Sequence, residues 1–288
     1  MTVAQLMVDA IDLHVHGAPK TSDGGRRVDL IALAKQAQEF GMKAVVIKSN
    51  RFGTGPLTLE VNQLVNSQIL IGSLVLNNDV GGLNPDVVEA QAKAGAKVIW
   101  LPTFSAAAHM KTRGTGKMGE KEPDNGISVI DAEGKLVPQM VRVLDVLKRN
   151  HLVLATGHAS KPEVFAVTRE ALRQRISVIV THPLAGPRGG LISIDEAKEL
   201  AGMGAFIECT FAHCMPPMIL SPENMAGYIK MIGPEHCVIS TDFGQMFNPP
   251  PPEGFHMMLA VMLQFSKISE DELRTVVKIN PAKILGMI

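Results

Sequence analysis

Histidine and carboxylate residues stand in a pattern that suits a bound metal ion. His14 and His16 lie one residue apart at the end of an apolar run that reads as a β-strand. Residues i and i+2 of a strand share a face, so both imidazoles can bind one ion. Three more polar residues, His158, His182 and Asp242, follow later apolar runs. Neutral imidazoles with a carboxylate suit zinc and similar transition metals.

The apolar runs that carry these residues alternate with segments of helical periodicity along the chain. We predict eight strands, at residues 10–16, 43–49, 70–77, 97–103, 152–157, 177–181, 205–210 and 237–241. Continuous apolar runs are typical of parallel strands that are buried on both faces. Eight strand–helix repeats without a glycine-rich nucleotide turn favour an α/β fold of the closed (β/α)8 TIM-barrel type over an open doubly wound sheet. We predict one domain spanning residues 1–288.

The barrel explains why residues far apart in sequence can form one site. In (β/α)8 enzymes the active site lies at the carboxyl ends of the strands. A His-x-His pair alone is weak evidence for a metal, because such pairs often only pack or form hydrogen bonds. Histidines and an aspartate at four separate strand ends are a much more specific pattern. The sequence therefore predicts a metal ligand set of His14, His16, His158, His182 and Asp242.

This pattern resembles the amidohydrolase superfamily over nearly the whole chain. Residues 12–16, Asp-Leu-His-Val-His, are similar to its opening motif, and residues 280–286, Asn-Pro-Ala-Lys-Ile-Leu-Gly, are similar to the helix that closes many members. His158, His182 and Asp242 fall where the superfamily places its other metal-site residues. The nearest likeness is to a poorly characterised group of small predicted metal-dependent hydrolases. The resemblance implies a divalent metal, with Zn²⁺ expected first and Mn²⁺ or Fe²⁺ as alternatives.

Lys48 bears on whether one or two ions bind. Binuclear superfamily members often carry a carboxylated lysine or a glutamate at the end of the fourth strand, and residues 98–103 contain neither. One ion is therefore favoured over two. Lys48, after the second strand, could be carboxylated and bridge two ions, bind a substrate carboxylate or oxyanion, or be simply solvated; the second interpretation is preferred. Arg51 could assist it, although a surface position is favoured.

Other polar residues are candidates for binding substrate or supporting the ligands. Glu208 lies in an apolar strand and needs a partner, because an unpaired buried charge is costly. It could orient a metal-binding histidine or pair with Lys48. Asp12 could support the strand end, and Asn77 could contact substrate or belong to a turn. His213 could line the mouth, whereas surface or loop positions are expected for His109, His151, His236 and His256.

These roles predict a metal-dependent hydrolase that cleaves a C–N or C–O bond in an amide, cyclic amide, lactone or ester. Asp242 would take the proton of a water activated by the metal, and His182 would complete the coordination or polarise the substrate oxygen. The alternative is a decarboxylase or other lyase acting on a small carboxylated substrate. A phosphoesterase would be expected to show more acidic ligands, and the presence of Asp242 argues against a non-catalytic metal-binding protein.

Charge balance and cysteine content indicate which partners and which cellular compartment to expect. Lys and Arg total 28, as do Asp and Glu, so charge gives no reason to expect nucleic acid or a membrane as partner. The odd count of 3 cysteines, without a signal peptide pattern, predicts a cytoplasmic protein. A small-molecule substrate is expected, and a methionine- or leucine-rich helix face would suit a homo-oligomer.

Two predicted loops have an unusual length or composition. Residues 104–135, after the fourth strand, are long, polar and glycine-rich, which predicts a lid over the site, with a mobile surface loop as the alternative. Residues 127–137 could form a small hairpin at its end. Lysine and arginine residues in this insertion, together with Lys48, favour an anionic substrate. Four prolines at 249–252 are expected to stiffen a rim loop after the eighth strand.

Overall fold

Eight parallel strands form a barrel in the part of the chain that the structure, a computed structural model, describes: residues 2–17, 25–113, 125–184 and 192–288. Each strand pairs with the next one along the chain. A parallel bridge between Val15 and Phe243 joins the first strand to the segment after the last and closes the sheet. The strands are β1 Ile11–Val15, β2 Ala44–Ile47, β3 Leu70–Val75, β4 Ala96–Trp100, β5 Val153–Ala155, β6 Val178–Val180, β7 Phe206–Thr210 and β8 Cys237–Ser240. The predicted (β/α)8 fold is confirmed.

Helices connect the strands and cover the outside of the barrel. None that the described ranges contain is long and apolar enough to cross a membrane. Asn84 accepts hydrogen bonds from the first backbone amides of α4, and Pro85 opens that helix. The α-helices are α1 Val3–Met7, α2 Leu30–Glu39, α3 Gly55–Leu64, α4 Pro85–Lys93, α5 Ala107–Arg113, α6 Pro138–Arg149, α7 Lys161–Arg173, α8 Ile194–Met203, α9 Pro222–Ile232, α10 Pro251–Phe265, α11 Glu270–Arg274 and α12 Asn280–Leu285.

The core has two layers, as a barrel requires. One packs the strands against the surrounding helices, and the other fills the barrel interior with strand side chains such as Leu13, Val98 and Trp100. Ala282, Ile284 and Leu285 of α12 belong to this interior cluster. The closing helix, recognised in the sequence as residues 280–286, therefore packs its apolar face on the barrel core. That burial gives its apolar residues a structural role, because removing apolar surface from water stabilises the fold.

Most strands end one to three residues earlier than the sequence predicts. His158, His182 and Asp242 lie in the turns that leave β5, β6 and β8. His182 has a φ of 27° and Asp242 a φ of 56°, both in the left-handed region that non-glycine residues seldom adopt. Such backbone strain persists only where the surrounding structure enforces it, and it often accompanies functional sites.

The predictions for residues 104–135 and for the four prolines at 249–252 compare differently with the structure. Residues 114–124 of the 104–135 insertion lie outside the described residues, so the lid stays a prediction. The expected small hairpin is reduced to one antiparallel bridge between Ile130 and Leu136. The prediction that all four prolines stiffen a rim loop was wrong in part, because Pro251 and Pro252 form the first turn of α10. Proline fits there because the first helical amides have no intrahelical partner.

Candidate metal centre and active site

His14, His16 and Asp242 form a compact cluster at the mouth of the barrel. Each offers one ligand atom, and these atoms lie within 4.8 Å of one another. The Oδ1 atom of Asp242 is 3.2 Å from the Nε2 atom of His14 and 3.0 Å from that of His16. Barrel closure produces this contact: the Asp242 amide donates to the His14 carbonyl, and the His16 amide donates to the Phe243 carbonyl.

Gly244 makes the close approach of these two segments possible. Its φ is +135°, and a Cβ atom placed there would lie 1.9 Å from the carbonyl oxygen of His16. Only glycine can therefore occupy this position without displacing the backbone that carries His16. Gly244 was not among the site residues predicted from the sequence.

Protonation states at the cluster suit a divalent cation. Burial lowers the pKa of His14 to about 3 and that of His16 to about 4. Burial acts to raise the pKa of Asp242, but His14 and His16 beside it hold that pKa well below its ordinary value. At neutral pH the cluster therefore presents two neutral imidazoles and an ionised carboxylate. Metal ligands must be deprotonated in this way, so the donor set fits the predicted metal.

Glu208 orients the imidazole of His14 through a contact with its Nδ1 atom. Its carboxylate oxygens lie 3.2 and 3.3 Å from the Nδ1 atom of His14, and Oε2 also accepts the amide of His182 at 3.2 Å. Glu208 is 1% exposed, and burial raises its pKa. An acceptor at Nδ1 places the proton of the imidazole there and leaves the Nε2 lone pair for the cluster.

Glu208→Gln is expected to weaken binding of Zn²⁺ by roughly 10- to 100-fold, the usual loss when a partner of a metal-binding histidine is removed. A glutamine has one acceptor oxygen for the two donors that now share the carboxylate. Competition with a chromophoric chelator measures the affinity, and Glu199→Gln at an exposed position of α8 is the control. An unchanged dissociation constant in Glu208→Gln would remove Glu208 from the site.

Asp12 ties β1 to the segment after β8. Its carboxylate accepts the Thr241 hydroxyl at 2.6 Å, the Thr241 amide at 3.1 Å and the His14 amide at 3.1 Å. Burial raises the pKa of Asp12 to about 7 despite these donors. Asp12 therefore fixes the backbone on either side of the cluster, in line with the supporting position expected for it.

Lys48 lies inside the site. Its side chain is buried, with Nζ 3.0 Å from the Nε2 atom of His14 and 4.6 Å from the ring centroid of Trp100. The interpretation of Lys48 as a solvated surface lysine is therefore wrong. Lys48 directly follows the carboxyl end of β2, and its side chain contacts His14 and Trp100 at the mouth of the barrel. Its role as a substrate-binding cation or as a carboxylated ligand stays a prediction.

His158 and His182 line the same cavity but lie outside the cluster of three. Their rings are 5.4 Å apart, and burial lowers the pKa of His182 to about 3 and that of His158 well below its ordinary value. Both rings are therefore neutral. The cavity measures about 170 Å³ and is lined by His16, Arg26, Lys48, Asn50, Phe104, His109, His158, His182, His213, Asp242 and Gln245.

A second cavity of about 410 Å³ adjoins the first. The two share His213, Asp242 and Gln245, so Asp242 stands between them. The lining of the second cavity is more apolar and includes Met215, Pro216, Pro217, Ile219 and Phe247.

Among the histidines, His109 departs most from its predicted position. It was expected at a surface or loop position, but it is 5% exposed and lines the first cavity. Arg26, Asn50, Phe104 and Gln245 were also missed. Position after a barrel strand was the available signal, because each of these residues lies in a loop that follows the carboxyl end of a strand.

Two weaker candidates lie at the edge of the site. Arg51 is part-exposed and pairs with Asp79 at 2.8 Å, as its expected surface position implies. Asn77 is fully buried, and its side chain donates to the Asn50 carbonyl at 3.0 Å and accepts the Thr103 amide at 2.8 Å. Asn77 therefore braces the loop that carries Asn50, and it is not among the residues that line the cavity.

Solved structures share this architecture at low sequence identity. An amidohydrolase from Pseudomonas aeruginosa matches with a TM-score of 0.63 and 14% identity, over 99% of this chain and 98% of that one. A metallopeptidase from Rhodobacter sphaeroides, bound to a phosphinate mimic of L-Ala-D-Ala, gives 0.62 and 13% over 97% and 99%. A 2,6-dihydroxybenzoate decarboxylase from Rhizobium gives 0.59 and 11% over 97% and 99%. The chain thus has the fold of amidohydrolase structures, as its motifs implied.

Sequence comparison places the chain in a family whose function is unknown. No curated protein matches the sequence. Residues 9–208 match the family of unknown function DUF6282, and this span runs from the start of the barrel into β7. It includes His14, His16, Lys48, His158 and Glu208, whereas Asp242 lies beyond it. The chain belongs to the DUF6282 family and carries a largely buried histidine–aspartate cluster at the mouth of an amidohydrolase-type barrel.

Proposed function

We propose that this protein is a metal-dependent hydrolase that cleaves a C–N or C–O bond of a small substrate. The observation that carries the proposal is the convergence of His14, His16 and Asp242 beside a cavity at the mouth of the barrel. Two neutral imidazoles and a carboxylate suit Zn²⁺, with Mn²⁺ and Fe²⁺ as alternatives. One ion is favoured, because the described residues supply a single cluster of this kind.

The residues around the cavity have distinct tasks in this proposal. A divalent cation held by the cluster would supply Lewis acidity that lowers the pKa of water to about 7. Asp242, ionised at neutral pH, accepts a proton from the attacking water and returns it to the leaving group. The Nδ1 atom of buried His182 makes no hydrogen bond with the described residues, so the ring has bonding capacity left for a substrate oxygen.

The cavity walls favour an anionic substrate with an apolar part. Lys48 and Arg26 place two cationic side chains on the wall of the first cavity. Met215, Ile219 and Phe247 give the adjoining cavity an apolar wall. A substrate whose scissile bond lies beside Asp242 could direct a carboxylate or developing oxyanion toward Lys48 and an apolar group toward Phe247.

Lys48→Met is expected to raise KM for an anionic substrate roughly 10- to 100-fold, since a hydrogen bond to a charged group contributes about 1.5–3 kcal/mol. Methionine keeps the apolar length of the side chain and removes the charge. Steady-state kinetics measure the effect, with Lys43→Met at an exposed position before β2 as the control. An unchanged KM together with loss of the metal would instead support Lys48 as a carboxylated ligand.

A decarboxylase is the second candidate. The Rhizobium 2,6-dihydroxybenzoate decarboxylase shares the barrel over 97% of this chain. A buried lysine beside the cluster is also suited to holding a substrate carboxylate. The two reactions therefore draw on the same residues and differ in the bond that breaks.

A substrate screen separates the two reactions. Protein loaded in turn with Zn²⁺, Mn²⁺ or Fe²⁺ is assayed with amides, cyclic amides, lactones and esters, and with carboxylated aromatic compounds for CO2 release. Hydrolysis that a chelator abolishes and added metal restores is the expected result. CO2 release without hydrolysis would favour the decarboxylase. Metal-loaded protein without activity of either kind across the panel would contradict the proposed function.

A further inference from the structure

His109 makes a direct contact with a histidine of the predicted ligand set. Its Nδ1 atom lies 2.8 Å from the Nδ1 atom of His158, and the two rings stack with centroids 4.7 Å apart. Phe104 packs against both, with ring centroids 5.4 Å from His109 and 6.2 Å from His158. All three residues line the first cavity. The contact is therefore a packed part of the cavity wall.

The base of the insertion holds His109 in this position. The Ala107 amide at the start of α5 donates to the Ile127 carbonyl at 2.9 Å, and the Ile127 amide donates to the Ser105 carbonyl at 2.7 Å. These bonds tie the two described ends of the insertion together. Ala106 and Ile127 also form a parallel bridge.

A buried carboxylate then ties the insertion to the turn that carries His158. Glu163, 4% exposed in the first turn of α7, accepts the Val129 amide at 2.8 Å and the Ser160 amide at 2.7 Å. Ser160 lies two residues after His158. His109 and His158 are therefore anchored to the same framework, which favours a fixed contact between them.

A hydrogen bond between two Nδ1 atoms determines which nitrogen each ring presents elsewhere. One ring must donate its proton and the other must accept it. If His158 donates, its Nε2 atom keeps a lone pair and can bind a metal ion. If His158 accepts, a neutral His158 carries its proton on Nε2 and cannot act as a ligand. The state of His109 therefore decides what His158 offers to the cavity.

We propose that His109 is a positioning residue that accepts the Nδ1 proton of His158 and so directs the Nε2 lone pair of His158 toward the metal site. This inference rests on the proposed function, because it assigns His158 to the metal that His14, His16 and Asp242 would hold. Through His109, the insertion after β4 thereby contributes a positioning residue to the proposed metal centre.

Two substitutions at position 109 separate acceptor loss from loss of bulk. His109→Leu fills much of the same space but cannot accept a hydrogen bond. His109→Asn can place its side-chain oxygen where the Nδ1 atom of histidine lies. Zn²⁺ affinity is measured by chelator competition in wild-type protein and both variants. The tautomer of His158 is read from long-range ¹H–¹⁵N spectra of the metal-free proteins, with its signals assigned by loss in His158→Gln.

The expected result is about a 10-fold or greater loss of Zn²⁺ affinity in His109→Leu and near wild-type affinity in His109→Asn. His158 should carry its proton on Nδ1 in wild-type protein and lose that preference in His109→Leu. Wild-type affinity in His109→Leu, or a proton on Nε2 of His158 in wild-type protein, would overturn the inference and leave the proposed function standing. Failure of the wild-type protein to bind metal would instead contradict the proposed function, while the spectra still test the His109–His158 hydrogen bond.

Discussion

Asp242→Asn is expected to lower kcat by about two to four orders of magnitude, the usual contribution of a positioned general base. Asparagine keeps the size of the side chain and a carbonyl oxygen next to His14 and His16. It cannot accept the proton of the attacking water. KM and bound metal should change much less than kcat, because the substrate-binding walls and the imidazoles remain.

The matched control for this substitution is Asp195→Asn, whose side chain is 88% exposed at the start of α8. It should leave kcat unchanged. Steady-state kinetics and elemental analysis on the same preparations separate loss of chemistry from loss of metal. Retained turnover in Asp242→Asn with metal still bound would remove Asp242 from the role of base. Loss of most of the metal would make it chiefly a ligand.

Gly244→Ala is expected to lower the free energy of unfolding by about 3–5 kcal/mol, since it combines a strained φ with a backbone clash. The new Cβ atom would lie 1.9 Å from the carbonyl oxygen of His16 and 2.8 Å from its Cβ atom. The segment after β8 would have to move away from β1, so the distance between Asp242 and His16 should increase. Metal affinity should fall with stability.

Gly202→Ala is expected to change the free energy of unfolding in the opposite direction. Gly202 is exposed near the end of α8, and a Cβ atom there would meet nothing within 4 Å. Alanine should raise the free energy of unfolding by roughly 0.5–1 kcal/mol, because it restricts the unfolded chain and favours helix. Urea denaturation measures both variants. Equal stability of Gly244→Ala and wild-type protein would show that the His16 segment can shift freely.

The fold could be predicted because its signals are local and repeated. Continuous apolar runs such as residues 45–47 and 178–180 identify buried parallel strands, and eight of them in regular alternation identify the barrel. The barrel then places His14 and Asp242 at one mouth although they lie 228 positions apart in the sequence. Strand ends were less predictable, because a turn such as the one at His182 depends on tertiary contacts.

Residues that enter the site through loops could not be predicted in the same way. Nothing adjacent to His109 in sequence distinguishes it from a surface histidine. Its burial follows from hydrogen bonds between the insertion and the turn after β5, which join residues far apart in the chain. Lys48 was recognised at a strand end, but only the packing of His14 and Trp100 around it decides against a solvated position.

The metal content per chain shows whether His14, His16 and Asp242 hold an ion. Protein purified without added metal is examined by elemental analysis as wild type and as His14→Ala, with His151→Asn at an exposed position as the control and circular dichroism to confirm folding. We predict about one Zn²⁺, Mn²⁺ or Fe²⁺ per chain in wild type and control, and loss of that ion in His14→Ala. Wild-type protein that contains no metal and takes up none on addition would show that this cluster is not a metal site.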